Sequence, residues 1–115
     1  TLQFSLISVM ELVHQGILSI EQLVQKMCHA PAVLFQIEKR GFIRKGYKAD
    51  LVILNPQKTW TVNNECILSK CKWSPMEGQT FHSQVEKTFV NGTLVYSDGK
   101  VNETHRGQAL KFNRP

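Results

Sequence analysis

The chain has 115 residues, 42% of them hydrophobic, which is the length and composition of one globular domain. Folded compactly, such a chain buries roughly 65% of the surface its unfolded form exposes, enough for a modest core. No apolar run approaches the ~20 residues that span a bilayer, and the net charge of +5 is concentrated, with five of the fourteen basic residues between Lys39 and Lys48. Phe42 and Tyr47 are the aromatics within that cluster, and no nucleic-acid motif frames it, so it reads as a solvated hairpin face rather than a phosphate track.

The opening TLQFSLISVMELVHQG has neither an initiator Met nor a basic leader. It reads as the interior of a helix, and the expectation is a piece of a longer protein. Phe4, Ile7, Met10 and His14 share one helical stripe, with Leu6, Val9 and Val13 beside it, and Gly16 closes the helix. A second helix starts at Ser19, a good N-cap whose partner at N3 is Gln22, with Leu18 and Leu23 placed as a hydrophobic staple. Ile20, Leu23, Val24 and Met27 then form its apolar face. Pro31 suits the first turn of a third, shorter helix packed by Val33, Leu34 and Ile37. Three short helices make a thin core, so the first two are expected to need an outside partner.

From residue 41 the period changes to two. Phe42-Ile43 predicts a short strand and Gly46 a turn, and ADLVILN a strand apolar enough to be covered on both faces. Asn55-Pro56 ends that strand, KTWTV (58–62) predicts another, and KWSPMEG (72–78) a loop. QVEKTFV, Asn91-Gly92 and TLVYSDG give the strongest hairpin signal, because Asn-Gly supplies the two positive φ values of a type I′ turn. Ser97-Asp98-Gly99 turns the chain again, and the polar tail has Leu110 and Phe112 as anchors. The fold class expected is α+β, with a boundary near residue 38 between a helical part, 1–38, and a β part, 39–115.

Chemistry is hard to find. The histidines His14, His29, His82 and His105 form neither H-x-H nor H-E-x-x-H. A zinc set of Cys66, Cys71 and His82 with Cys28 or His29 lacks a matching second ligand pair. Asp50 starts a strand, where its carboxylate is expected to bond local backbone N–H groups. It has no second acid or histidine close in sequence to make it catalytic. No serine or cysteine sits in a nucleophile motif, and no glycines cradle a phosphate. No catalytic, cofactor-binding or metal-binding residue is therefore assigned. Cys28, Cys66 and Cys71 are an odd number, which argues against a disulfide framework and for the cytoplasm. The sequons Asn91-Gly92-Thr93 and Asn102-Glu103-Thr104 are discounted, the first because it is the turn. Read without any relative, the chain also fits a free-standing basic β-rich binding module whose partner surface is the hairpin 39–48.

Two stretches carry a resemblance. APAVLFQIEKRGFIRKGYKADLVILNP is similar to the signature that follows the last barrel helix of the amidohydrolase superfamily, with Pro31, Ala32, Gly41, Ile43, Gly46, Ala49, Asp50, Leu51 and Val52 in register. WSPMEGQTFHSQVEKTFVNGTLVYSDGKV resembles the ending of the cyclic amidohydrolases, through Ser74, Pro75, Gly78, Val85, Thr88, Val90, Gly92, Val95 and Tyr96. HQGILSIEQLVQKMCHAPAVLF and the closing GQALKF favour the dihydroorotases of the long, bacterial type over allantoinases, hydantoinases and dihydropyrimidinases. Three positions depart from the pattern: Ala30 for the usual Asn, Met76 for Phe, and Ser83 for Gly.

The resemblance implies a parent enzyme with a TIM-like (β/α)8 barrel and zinc. A metal-activated water would interconvert dihydroorotate and N-carbamoyl-aspartate in pyrimidine biosynthesis. It further implies that residues 1–38 are the last barrel helices and 39–115 the C-terminal strands of a small β-sandwich. The family's zinc ligands come earlier in its chain, so this segment is expected to bind no zinc and to be inactive alone. Its expected partners are the N-terminal strands and barrel of the parent, or a second copy through self-association, with neither membrane nor nucleic acid.

Overall fold

The computed structural model describes residues 2–113. A 3-10 turn at Leu2–Phe4 leads into α1 (Ser5–His14), whose stripe Phe4, Ile7 and Met10 is buried as the spacing predicts. Gly16, at φ +76°, ends the turn that follows. Ser19 then caps α2 (Ile20–Val24). Its Oγ accepts from the Gln22 backbone N–H at 3.1 Å, and its own N–H donates to Gln22 Oε1 at 2.9 Å, the reciprocal pair of a capping box. Leu23 is buried, but Ile20 stays 45% exposed.

The expected break before Pro31 is not there. The helix runs on from α2 through a π-helical turn, Gln25–His29, into α3 (Ala30–Leu34). Two residue choices explain the difference. Ala30 has no side-chain oxygen to cap a new helix, and it takes ordinary helical angles (φ −60°, ψ −45°). Pro31 has no N–H to give and crowds the carbonyl four residues back, and the wider π turn just before it absorbs that misfit. Ala30 N–H reaches Gln25 O, five residues earlier. Val33 and Leu34, expected to pack α3, are exposed instead, while Ala32 on the opposite side is buried.

Phe42-Ile43 does not form the expected strand. Residues 39–48 make a closed loop, with Lys48 N–H bonded to Lys39 O at 2.9 Å and Tyr47 N–H to Arg44 O at 3.0 Å. The reason is tertiary. Phe42 stacks on His29 at 4.2 Å between ring centroids, and Gly41 presses against the π turn. A Cβ on Gly41 would stand 2.5 Å from Ala32 Cβ and 2.8 Å from Cys28 O.

The strands are antiparallel throughout. β1 (Leu51–Asn55), β4 (Gln84–Val90), β5 (Thr93–Ser97) and β6 (Lys100–Val101) form one sheet in the order β1-β4-β5-β6. β2 (Trp60–Thr61) and β3 (Thr80–Phe81) form a second. β4 and β5 make the expected hairpin, with Asn91 at φ +51° and Gly92 at φ +79°. β1 is not covered on both faces: it is an outer strand, and Val52 and Ile53 are 49% and 45% exposed.

The core joins the two halves of the sequence. Phe4 and Ile7 of the first helical turns pack with Val62, Ile67 and Phe81, and Leu54, Trp60, Met76 and Val85 close around them. The stripe of α1 thus finds its cover within the chain. The tail returns to the helices, where Ile37 and Phe112 form a β-bridge and Glu38 N–H bonds Lys111 O at 2.7 Å.

Gly41 and Gly46 share φ +85°, but only Gly41 has neighbours where a Cβ would go. Gly41→Ala therefore combines backbone strain with overpacking and should cost about 2–4 kcal/mol, against about 1–2 kcal/mol for Gly46→Ala. Paired urea unfolding curves measure the difference.

Candidate functional site

Two polar junctions hold the elements together, and the residues with chemical potential lie in them. The first is built on Asp50. The β1–β4 register, Leu51 opposite Phe89, leaves Asp50 one position before the ladder and facing the Asn91-Gly92 turn. Its Oδ1 accepts from Asn91 N–H at 2.8 Å, and its Oδ2 pairs with the Arg40 guanidinium. Next to it, Ala49 O accepts from Gly92 N–H at 2.9 Å. Asp50 was expected to bond backbone nearby in sequence; its backbone partner is instead 41 positions away. The carboxylate fastens loop, edge strand and hairpin tip at one point, and among the described residues no second acid or histidine is bonded to it.

The second junction joins α1 to the corner between β3 and β4. Glu11 accepts twice from His82, from its backbone N–H at 2.9 Å and from Nδ1 at 2.8 Å, so the ring carries its proton on Nδ1. One turn on, His14 Nε2 lies 2.8 Å from Ser83 Oγ, and the two histidine rings are 5.8 Å apart. Burial pushes the Glu11 carboxyl up, but the two bonds from His82 and the proximity of both histidines outweigh it and hold the group below the usual carboxylate range. Trp60 Nε1–H donates to Ser83 O at 2.7 Å.

A serine bonded to a histidine invites comparison with a nucleophile and its base. Here the serine is fully buried, at 0% exposure, and no substrate reaches its hydroxyl. The pair is a fastening. It also accounts for Ser83 standing where the amidohydrolase pattern has Gly, since His14 supplies the partner that a buried hydroxyl requires.

The candidate zinc residues do not converge. His82 is held by Glu11, His29 by Phe42, Cys66 by Asn63, and Cys71 by Ser69 and the Trp73 carbonyl. Among the described residues no group of three or more His, Cys, Asp or Glu side chains is placed to hold a metal ion. Among the described residues the donor set does not by itself fit zinc. The cluster of Glu11, His14, His82 and Ser83 was not legible in the sequence, because His82 lies 71 positions from its partner. Its one trace was the departure at Ser83.

Residues 2–95 match the Amidohydrolase family, and the chain belongs to it. Within that family its curated relatives include dihydroorotases. It is 41% identical over 91 residues to that of Clostridioides difficile, covering 79% of this chain and 21% of the relative. It is 31% identical over 101 residues to that of Pyrococcus horikoshii, covering 88% and 24%. The L-hydantoinase (dihydropyrimidinase) of Arthrobacter aurescens superposes with a TM-score of 0.73 at 36% identity, over 78% of this chain and 20% of that one. The dihydropyrimidinase of Brevibacillus agri gives 0.74 at 27% identity, over 79% and 20%. The chain thus spans between a fifth and a quarter of the length of these relatives.

Asp50→Ala leaves the Asn91 N–H and a largely buried Arg40 guanidinium unpaired. The expected cost is about 2–3 kcal/mol. Chemical denaturation should show a lower midpoint, and amide exchange should quicken first at the 91–92 turn.

Proposed function

We propose that this chain is the C-terminal segment of a zinc-dependent dihydroorotase, the enzyme that reversibly cyclises N-carbamoyl-aspartate to dihydroorotate in pyrimidine biosynthesis. The observation that carries this reading is the identity with dihydroorotases of distant organisms, 41% and 31%, sustained over 79% and 88% of the chain. In this reading α1 to α3 are terminal helices of a TIM-like barrel, and the strands after residue 39 belong to the small β-sandwich beside it. The exposed apolar side chains Ile17, Ile20, Val33, Leu34 and Phe35, and the free edge of β1, support it, because such surfaces require cover. Among the described residues no group of donors fits the metal, and in this reading the chemistry belongs to side chains of the parent enzyme outside this chain. The role of this segment is scaffolding, and its working place is the cytoplasm, where three free thiols remain reduced.

A second reading, a hydantoinase or dihydropyrimidinase, draws on the 36% identity with the Arthrobacter enzyme. Assay of the full-length protein separates the two. Ring opening of dihydroorotate, with little turnover of dihydrouracil or 5-substituted hydantoins, is the expected result. The reverse preference would overturn the first reading in favour of the second. The 115-residue chain by itself should turn over none of them.

Without the parent's other strands, the apolar helix face and the β1 edge should find each other in a second copy. Sedimentation velocity of the isolated chain should show dimers or larger species, with dye bound to apolar surface. A dye-silent monomer would contradict this.

A further inference from the structure

The loop 39–48 carries charge that neither junction uses. Arg40 is committed to Asp50, but Lys39, Arg44, Lys45 and Lys48 are exposed, and none of the four makes an ion pair among the described residues. The loop is also ordered, closed by its own backbone bonds and seated through Gly41 on the π turn. Arg44 is held in place: its guanidinium carbon lies 4.1 Å from the Phe42 centroid and 5.7 Å from that of Tyr47. Since His29 stacks on Phe42 at 4.2 Å, the two groups occupy opposite faces of the ring.

Beside this stack runs an open cleft lined by Val33, Gln36, Lys39, Arg44, Tyr47 and Asn113, with Glu38 as the acid on its wall. The loop is apolar as well as cationic, since Ile43 is 88% exposed.

We propose that this loop and cleft dock an acidic segment of a partner protein, one that carries an aliphatic or aromatic side chain among its carboxylates. Four unpaired cations on a preformed frame match several carboxylates at little ordering cost. Ile43, in the loop itself, offers the apolar contact that gives such a segment its register. Nucleic acid fits less well. Both faces of Phe42 are taken, and Tyr47 meets it edge-on at 87° with Arg44 5.7 Å from its own ring centroid, so the aromatics of the loop are engaged with one another rather than spread as a row of stacking platforms. The cations also sit on a loop closed upon itself rather than along a track.

The test uses the 115-residue chain and a labelled decapeptide of glutamates with a central phenylalanine, followed by fluorescence anisotropy. Saturable binding is expected at about 50 mM salt, weakened about tenfold at about 300 mM. Lys39→Gln/Lys45→Gln/Lys48→Gln, which spares the Arg44 stack, should weaken it about tenfold more. The charge-matched control Lys70→Gln/Lys72→Gln/Lys100→Gln should stay within about twofold, with circular dichroism unchanged in both variants. No saturable binding at low salt, equal losses in the two variants, or tighter binding of an oligothymidylate of equal charge would each overturn the proposal.

Discussion

One carboxylate fixes the arrangement of this chain. Asp50 lies where β1 begins, and it binds the backbone of the Asn91-Gly92 turn on one side and Arg40 on the other. Beyond the β1–β4 ladder, the loop and the hairpin tip would otherwise meet the start of the edge strand through little more than the Gly92–Ala49 backbone bond. A charged acceptor taking a backbone N–H and a guanidinium is worth more than neutral bonds in the same place, because both partners are otherwise left short of water and of each other. The two motif stretches of the sequence, one around Ala49-Asp50 and one around Val90-Asn91-Gly92, are therefore two halves of a single contact.

The second fastening acts on the other side of the core. Glu11, His14, His82 and Ser83 tie α1 to the β3–β4 corner while Phe4 and Ile7 pack below. These are residue types from which active sites are made, yet here they are spent on one another, with Ser83 fully buried while His14 and His82 remain exposed. A serine at 0% exposure meets no substrate, and a histidine whose Nδ1–H is given to a carboxylate is held in place by it. The motif residues that carry the amidohydrolase resemblance lie in this framework, in the glycines, the aspartate and the turn.

The run 20–34 shows how a local departure is absorbed. Ala30 cannot cap and Pro31 cannot donate, so the helix neither stops nor continues evenly, and it widens for one turn. That widened turn is the surface on which Gly41 and Phe42 rest. The loop 39–48 consequently stands out as an ordered, cationic feature rather than as the strand its alternation predicts.

The local elements were legible in the chain of residues because their causes are local. The stripe of α1, the Ser19–Gln22 capping box and the Asn91-Gly92 hairpin each depend on side chains within a few positions of one another. The family was legible too, since the spacing of the turn glycines and Asp50 carried the resemblance, and residues 2–95 match that family. What tertiary structure alone decided lies at long separation. The partner of Asp50, the Glu11–His82 and His14–Ser83 bonds, and the loss of the Phe42-Ile43 strand each depend on which distant groups the fold brings together. The exposure of β1 is of the same kind. Its apolar sequence specifies a strand that wants cover, and only the sheet order shows that this chain leaves its outer edge open.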